Sequence, residues 1–166
     1  LHSVFDTHRR PWVLPDAGAA DDVAATIHTC PSGALHYERN DGGETEPIPE
    51  QNTIRLMRNG PLYLRGDFTI ANGAGELVIR DTRASLCRCG ASANKPFCDN
   101  SHRKIGFEAL STIDEAQTNS KTFAGGELRI ETTTNGPLHI TGNFTVLSSK
   151  GEPVYQGTDE TFCRCG

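Results

Sequence analysis

The chain has 166 residues and a formal net charge of −5, from 16 basic and 21 acidic side chains. That balance is the reverse of the basic face that phosphate contacts need, and no apolar run approaches the roughly 18 residues of a membrane span, so a nucleic-acid binder and a spanning anchor within these residues are excluded. Hydrophobic residues make up 36%, and the 17 glycines bring the apolar share into the globular range, enough for one ordinary domain or two small ones.

In chain order, residues 1–46 differ in character from the rest of the chain. Residue 1 is Leu, and no basic stretch followed by an apolar core marks a secretory leader. Asp21-Asp22 ahead of Val23, Ala24, Ala25 and Ile27 predicts a short helix whose acidic first turn suits the helix dipole. It runs into Cys30-Pro31-Ser32-Gly33 and then Ala34-Leu35-His36-Tyr37, which reads as a strand. From residue 47 the pattern is β. Ile54, Leu56, Leu62, Leu64, Phe68 and Ile70 stand at even spacing, the period of a strand with one buried face, and Asn59-Gly60-Pro61 and Asn72-Gly73 mark turns. Residues 111–126, polar and ending in Gly125-Gly126, read as a connector with room for a short helix. Residues 127–166 return to the β pattern through Leu128, Ile130, Leu138, Ile140, Phe144 and Val146. Charge shifts with the segments: residues 51–110 carry nine basic and five acidic groups between two acidic flanks, which a solvated surface explains.

The two β segments are related. NGPLYLRGDFTI from Asn59 recurs as NGPLHITGNFTV from Asn135, and Cys87-Arg88-Cys89-Gly90 recurs as Cys163-Arg164-Cys165-Gly166, in both cases 76 residues on. Gly75-Glu76 and Gly151-Glu152 keep the same offset. Separate blocks at one offset without insertion point to duplication of a folded unit. The expected fold class is mainly β with short helices (α+β).

The chemistry concentrates in the cysteines. The six are Cys30, Cys87, Cys89, Cys98, Cys163 and Cys165. An even number permits a disulfide framework, but a bridge within C-x-C is strained, and clustered thiols without a secretory leader more often bind metal in a reducing compartment. A cytoplasmic location is expected on that ground. Cys87, Cys89, Cys98 and His102 follow the spacing C-x-C-x8-C-x3-H, a complete four-donor set. Soft sulfur donors select zinc or an iron–sulfur centre over magnesium or calcium. The C-x-C start fits structural zinc knuckles, with their C-x₂₋₄-C spacing, poorly, and suits two thiolates on one iron of a two-iron cluster. Zinc stays open at this point. Cys98 and His102 share a face if a helix begins at Asp99, whose carboxylate then occupies the first turn.

Residues 87–102, CRCGASANKPFCDNSH, resemble the CDGSH iron–sulfur motif, C-x-C-x2-(S/T)-x3-P-x-C-D-G-(S/T/A)-H, with Ser92, Pro96, Cys98, Asp99, Ser101 and His102 on motif positions. Asn100 departs from the motif's Gly; if the position needs positive φ, Asn is the least costly substitute. The resemblance implies a 2Fe–2S cluster on Cys87, Cys89, Cys98 and His102. It also implies a small β-cap over a cluster-binding loop, the two units (47–110 and 127–166) pairing around a pseudo-two-fold axis within one chain, so that a monomer suffices. One neutral imidazole in place of a thiolate raises the reduction potential above all-cysteine sites, and protons compete for its nitrogen, so acid is expected to release the cluster.

In the second unit the offset carries the other two ligands beyond Gly166, leaving Cys163 and Cys165 as half of a site in a copy read as truncated. Cys30, followed by Pro, together with CPSGALHYER, resembles the C-terminal half of a divergent single-cluster ferredoxin-like domain, of which residues 1–46 would be a partial copy. Taken alone, a single cysteine is more often a small buried hydrophobe. His2, His8, His28, His36 and His139 form no spaced pair with a carboxylate or cysteine, and no nucleophile elbow or nucleotide fingerprint is present. The expectation is a non-enzymatic 2Fe–2S protein for electron transfer or cluster delivery to a redox or acceptor protein. A structural zinc module scaffolding a protein partner is the alternative.

Overall fold

The computed structural model describes residues 1–113 and 125–164, so the connector helix allowed within 111–126 falls largely outside the described residues. The chain forms two compact units, Leu1–Pro47 and Ile48–Gly166.

In the first unit, α1 (Ala20–His28) turns Val23 and Ile27 inward onto the fully buried Val4, and Phe5, Val13, Leu35 and Tyr37 pack against that cluster. Asp21 and Asp22 occupy its first turn and His28 its last, the charge order that the helix dipole favours. Residues 34–37 are not the expected strand. A strand exists only by pairing, and the described β contact of this unit is a single bridge between Phe5 and Val13. Tyr37 is held instead by α1: its ring stacks on His28 with centroids 5.6 Å apart, and its hydroxyl lies 3.1 Å from His28 Nε2.

The second unit is one six-stranded sheet of β1 (Thr53–Leu56), β2 (Leu62–Ala71), β3 (Leu77–Leu86), β4 (Leu128–Thr132), β5 (Leu138–Leu147) and β6 (Pro153–Phe162). The long strands form two antiparallel hairpins, β2–β3 and β5–β6. The short strands lie between them. β1 is antiparallel to the first half of β2, with Ile54 opposite Leu64, and parallel to the second half of β5, with Ile54 opposite Val146. β4 does the reciprocal, antiparallel to β5 (Ile130 opposite Ile140) and parallel to β2 (Ile130 opposite Ile70). The pairings β2–β1–β5–β4–β2 therefore close on themselves.

This closure explains the alternation in the sequence. Ile54, Leu56, Leu62, Leu64, Phe68, Ile70, Leu128, Ile130, Leu138, Ile140, Phe144 and Val146 all face one shared core and are each at most 4% exposed. The inner long strands β2 and β5 must each change neighbours partway along their length, β2 from β1 to β4 and β5 from β4 to β1. β2 does so at a bulge between Arg65 and Phe68, and β5 has its own between Thr141 and Phe144. A bulge kinks and twists a strand, which is what the exchange needs.

Asn52 pins the exchange from just ahead of β1. Its Nδ2 donates to Gly126 O (2.8 Å) and Asn143 O (2.9 Å), and its Oδ1 accepts the Asp67 N–H (3.1 Å). Gly66 is required beside it, because a Cβ there would overlap Asn52 Oδ1. No helix among the described residues is long and apolar enough to cross a membrane.

Asn52 is only 3% exposed, and Asn52→Ala removes its three hydrogen bonds to backbone groups. We expect a loss of about 2–4 kcal/mol in urea unfolding of this variant; a loss below about 1 kcal/mol would mean that the exchange does not depend on Asn52.

Candidate metal centre

The four expected donors are brought together by one small β contact. β3 ends at Leu86, and Leu86 forms an antiparallel bridge with Phe97, so the chain between them folds back on itself. Cys87 N–H donates to Pro96 O and Cys98 N–H to Ser85 O, each at 2.8 Å. Cys87 and Cys98, eleven residues apart in sequence, thus emerge side by side from one two-stranded stem. Ser92, 4% exposed, ties the interior of the loop: its Oγ donates to Phe97 O (2.7 Å) and accepts the Asn94 N–H (3.0 Å).

After Cys98 the chain turns into α2 (Ser101–Lys104), a single turn that begins later than expected. Asp99 therefore precedes the helix. Its carboxylate takes the Ser101 N–H on one oxygen and the Ala93 N–H on the other, both at 2.9 Å, and so staples the turn to the loop. Hydrogen bonds from Ser101 and the Ala93 N–H hold this carboxyl well below the usual carboxylate range. Asn100 has φ 67°, the left-handed conformation that a Gly would adopt freely and that Asn tolerates best among other residues. That turn aims the Asn100 N–H at Cys98 Sγ (3.4 Å).

The donors lie as two pairs. Cys87 Sγ and Cys89 Sγ are 3.9 Å apart, and Cys98 Sγ is 3.4 Å from His102 Nδ1. Cys87 and His102 are buried, at 1% and 7% exposure, while Cys89 and Cys98 are partly open. Burial, and then the neighbouring Cys87 sulfur, push the Cys89 thiol up, although the Ala91 N–H pulls the other way. Two sulfurs so placed resist ionising together, a cost that a bound cation removes. Among the described residues no three His, Cys, Asp or Glu side chains surround a single point. Arg88, between the first two cysteines, is half-buried and donates to Met57 O at 3.4 Å; burial lowers its pKa.

Cys163, just after β6, is disulfide-bonded, and Cys165 lies outside the described residues. Cys30 sits in the first unit, in the loop after α1, where Gly33 has φ 68°. Burial raises its thiol pKa, but the Ser32 hydroxyl (3.4 Å) and the N–H groups of Ser32, Ala34 and Leu35 outweigh it and leave the pKa lowered. Sequence reasoning did not find what holds the loop from outside: Lys95 Nζ donates to Asn135 Oδ1 (3.1 Å), and Gly90 packs against the carbonyl of Arg164. Neither contact has a sequence signal, since both join residues 40 or more positions apart.

Residues 59–103 match the family described as the iron-binding zinc finger of the CDGSH type, a span that contains the two donor pairs. Residues 1–40, including Cys30, match the divergent 4Fe–4S mono-cluster family. The chain is also similar to the uncharacterized protein YjdI of Escherichia coli, in strains K12 and O157:H7 alike, with 47% identity over 34 residues. That alignment covers 20% of this chain and 45% of each relative, so the chain spans less than half the length of the curated relatives it matches. Together the two family matches, each over cysteines in its own unit, support an iron–sulfur protein.

Proposed function

We propose that this chain binds a 2Fe–2S cluster through Cys87, Cys89, Cys98 and His102, and works as a carrier of electrons or of the cluster itself and not as an enzyme. The observation that supports this reading is the match of residues 59–103 to the CDGSH-type iron-binding family, over the stem that sets Cys87 Sγ 3.9 Å from Cys89 Sγ and Cys98 Sγ 3.4 Å from His102 Nδ1. In a two-iron cluster Cys87 and Cys89 would hold one iron, and Cys98 and His102 the other. A cluster held there supplies one-electron redox chemistry, at a potential that the single imidazole raises above that of an all-cysteine site.

The residues around the donors have roles in keeping with this. The Asn100 N–H is positioned to stabilise charge on Cys98, and Asp99 keeps the turn closed by its bonds to Ala93 and Ser101. His102 presents Nδ1 on the Cys98 side, and that nitrogen must be unprotonated to ligate. We read the reciprocal strand pairing as tandem copies of one unit. The partner is a redox or cluster-accepting protein.

Iron, acid-labile sulfide and zinc measured on one anaerobically purified sample test the reading. We expect a coloured protein whose first site contributes about two irons and two sulfides per chain. Colourless protein with near-stoichiometric zinc and no sulfide would overturn it in favour of a structural module. The histidine is tested separately. Acidification is expected to bleach the native protein, and His102→Cys to keep its colour to lower pH. An unchanged acid profile in that variant would remove His102 from the ligand set.

A further inference from the structure

We infer that Arg164, the residue between the cysteines of the second C-x-C, is a positioning residue for the first site. The inference rests on the cluster reading above. Arg164 is 6% exposed, and its guanidinium donates to the carbonyls of the turn after β4: Nε to Gly136 O and Nη2 to Thr133 O, each at 2.5 Å. Its own carbonyl lies against Gly90, where an added Cβ would meet Arg164 O at 2.5 Å. Gly90 also has φ 70°, so the close approach and the backbone both demand glycine. From the same turn Asn135 accepts the Lys95 Nζ at 3.1 Å.

These contacts close a circuit. Gly90 directly follows the ligand Cys89, and Lys95 precedes Cys98 by three residues, so both ends of the segment between the two donor pairs are held. Lys95 is held by the turn to which the Arg164 guanidinium bonds, and Gly90 lies against the backbone of Arg164 itself. Two buried hydrogen bonds from one planar guanidinium fix that turn more firmly than a flexible ammonium can. Arg88, at the equivalent position of the first C-x-C, likewise reaches a backbone carbonyl, that of Met57. Through these contacts of Arg164 the second C-x-C contributes to the first site as a brace.

Outer contacts of this kind set how tightly a metal is retained and, by orienting the N–H groups around the ligand sulfurs, its potential. The test is the rate at which the full-length, cluster-loaded protein yields iron to ferrozine at fixed pH, with the midpoint potential titrated on the same samples. Arg164→Ala is expected to release iron on the order of ten-fold faster with a displaced potential, and Arg164→Lys, which keeps one donor and the charge, to recover part of both. Native rate and native potential in Arg164→Ala would overturn the inference. Should that variant fail to fold, Asn135→Ala and Lys95→Met break the circuit at an exposed hydrogen bond. Faster release in these two supports the brace, and the native rate in both overturns it. A native protein without iron and sulfide would overturn the cluster reading first, and the brace with it.

Discussion

The structure of the second unit depends on one exchange: β1 and β4 are too short to complete a sheet on their own hairpins. Each is four or five residues long and pairs with both long strands, antiparallel on one side and parallel on the other. Parallel neighbours cannot be joined by a tight turn, so these pairings necessarily link parts of the chain remote in sequence. The closed circuit that results leaves no inner strand edge unpaired and buries Phe68 and Phe144 completely in a common core. Neither half of the unit has this core without the other.

The loop from Cys87 to His102 grows out of that platform. β3 is held along its whole length by β2, and its end at Leu86 supplies the fixed edge to which Phe97 bridges. The stem sets Cys87 beside Cys98, and the left-handed turn at Asn100 brings His102 back toward Cys98. Two close pairs, Cys87 with Cys89 and Cys98 with His102, are thereby formed on a segment with almost no regular structure. Its internal order comes from polar groups instead, Ser92 and Asp99 satisfying backbone N–H and carbonyl groups that no helix or strand engages.

How much of this was legible in the sequence depends on the range of each interaction. The twelve alternating apolar residues could be assigned to a buried face because period two is a local property of a strand, and all twelve are buried. Asn100 could be read as a left-handed position because steric cost depends on the residue's own Cβ. Ala34–Tyr37 misled, because alternation shows which face is apolar and not whether a neighbouring strand exists to pair with. The start of α2 was misplaced for a related reason: Asp99 suits a first helical turn, but its carboxylate is drawn away by the Ala93 N–H on the folded-back loop. Asn52 carried no signal at all, since its partners Gly126 and Asn143 lie 74 and 91 residues away.

By itself, then, the sequence determined the class of fold, the two kinds of unit and the donor types and spacing that point to iron–sulfur chemistry, because each is a property of neighbouring residues. Only the tertiary structure decided that the donors divide into two close pairs, that the short strands are shared between hairpins, and that the Arg164 turn reaches the loop of the first site. Those are distances between residues tens of positions apart. They exist only once the shared core has fixed the register of every strand, and no local pattern encodes them.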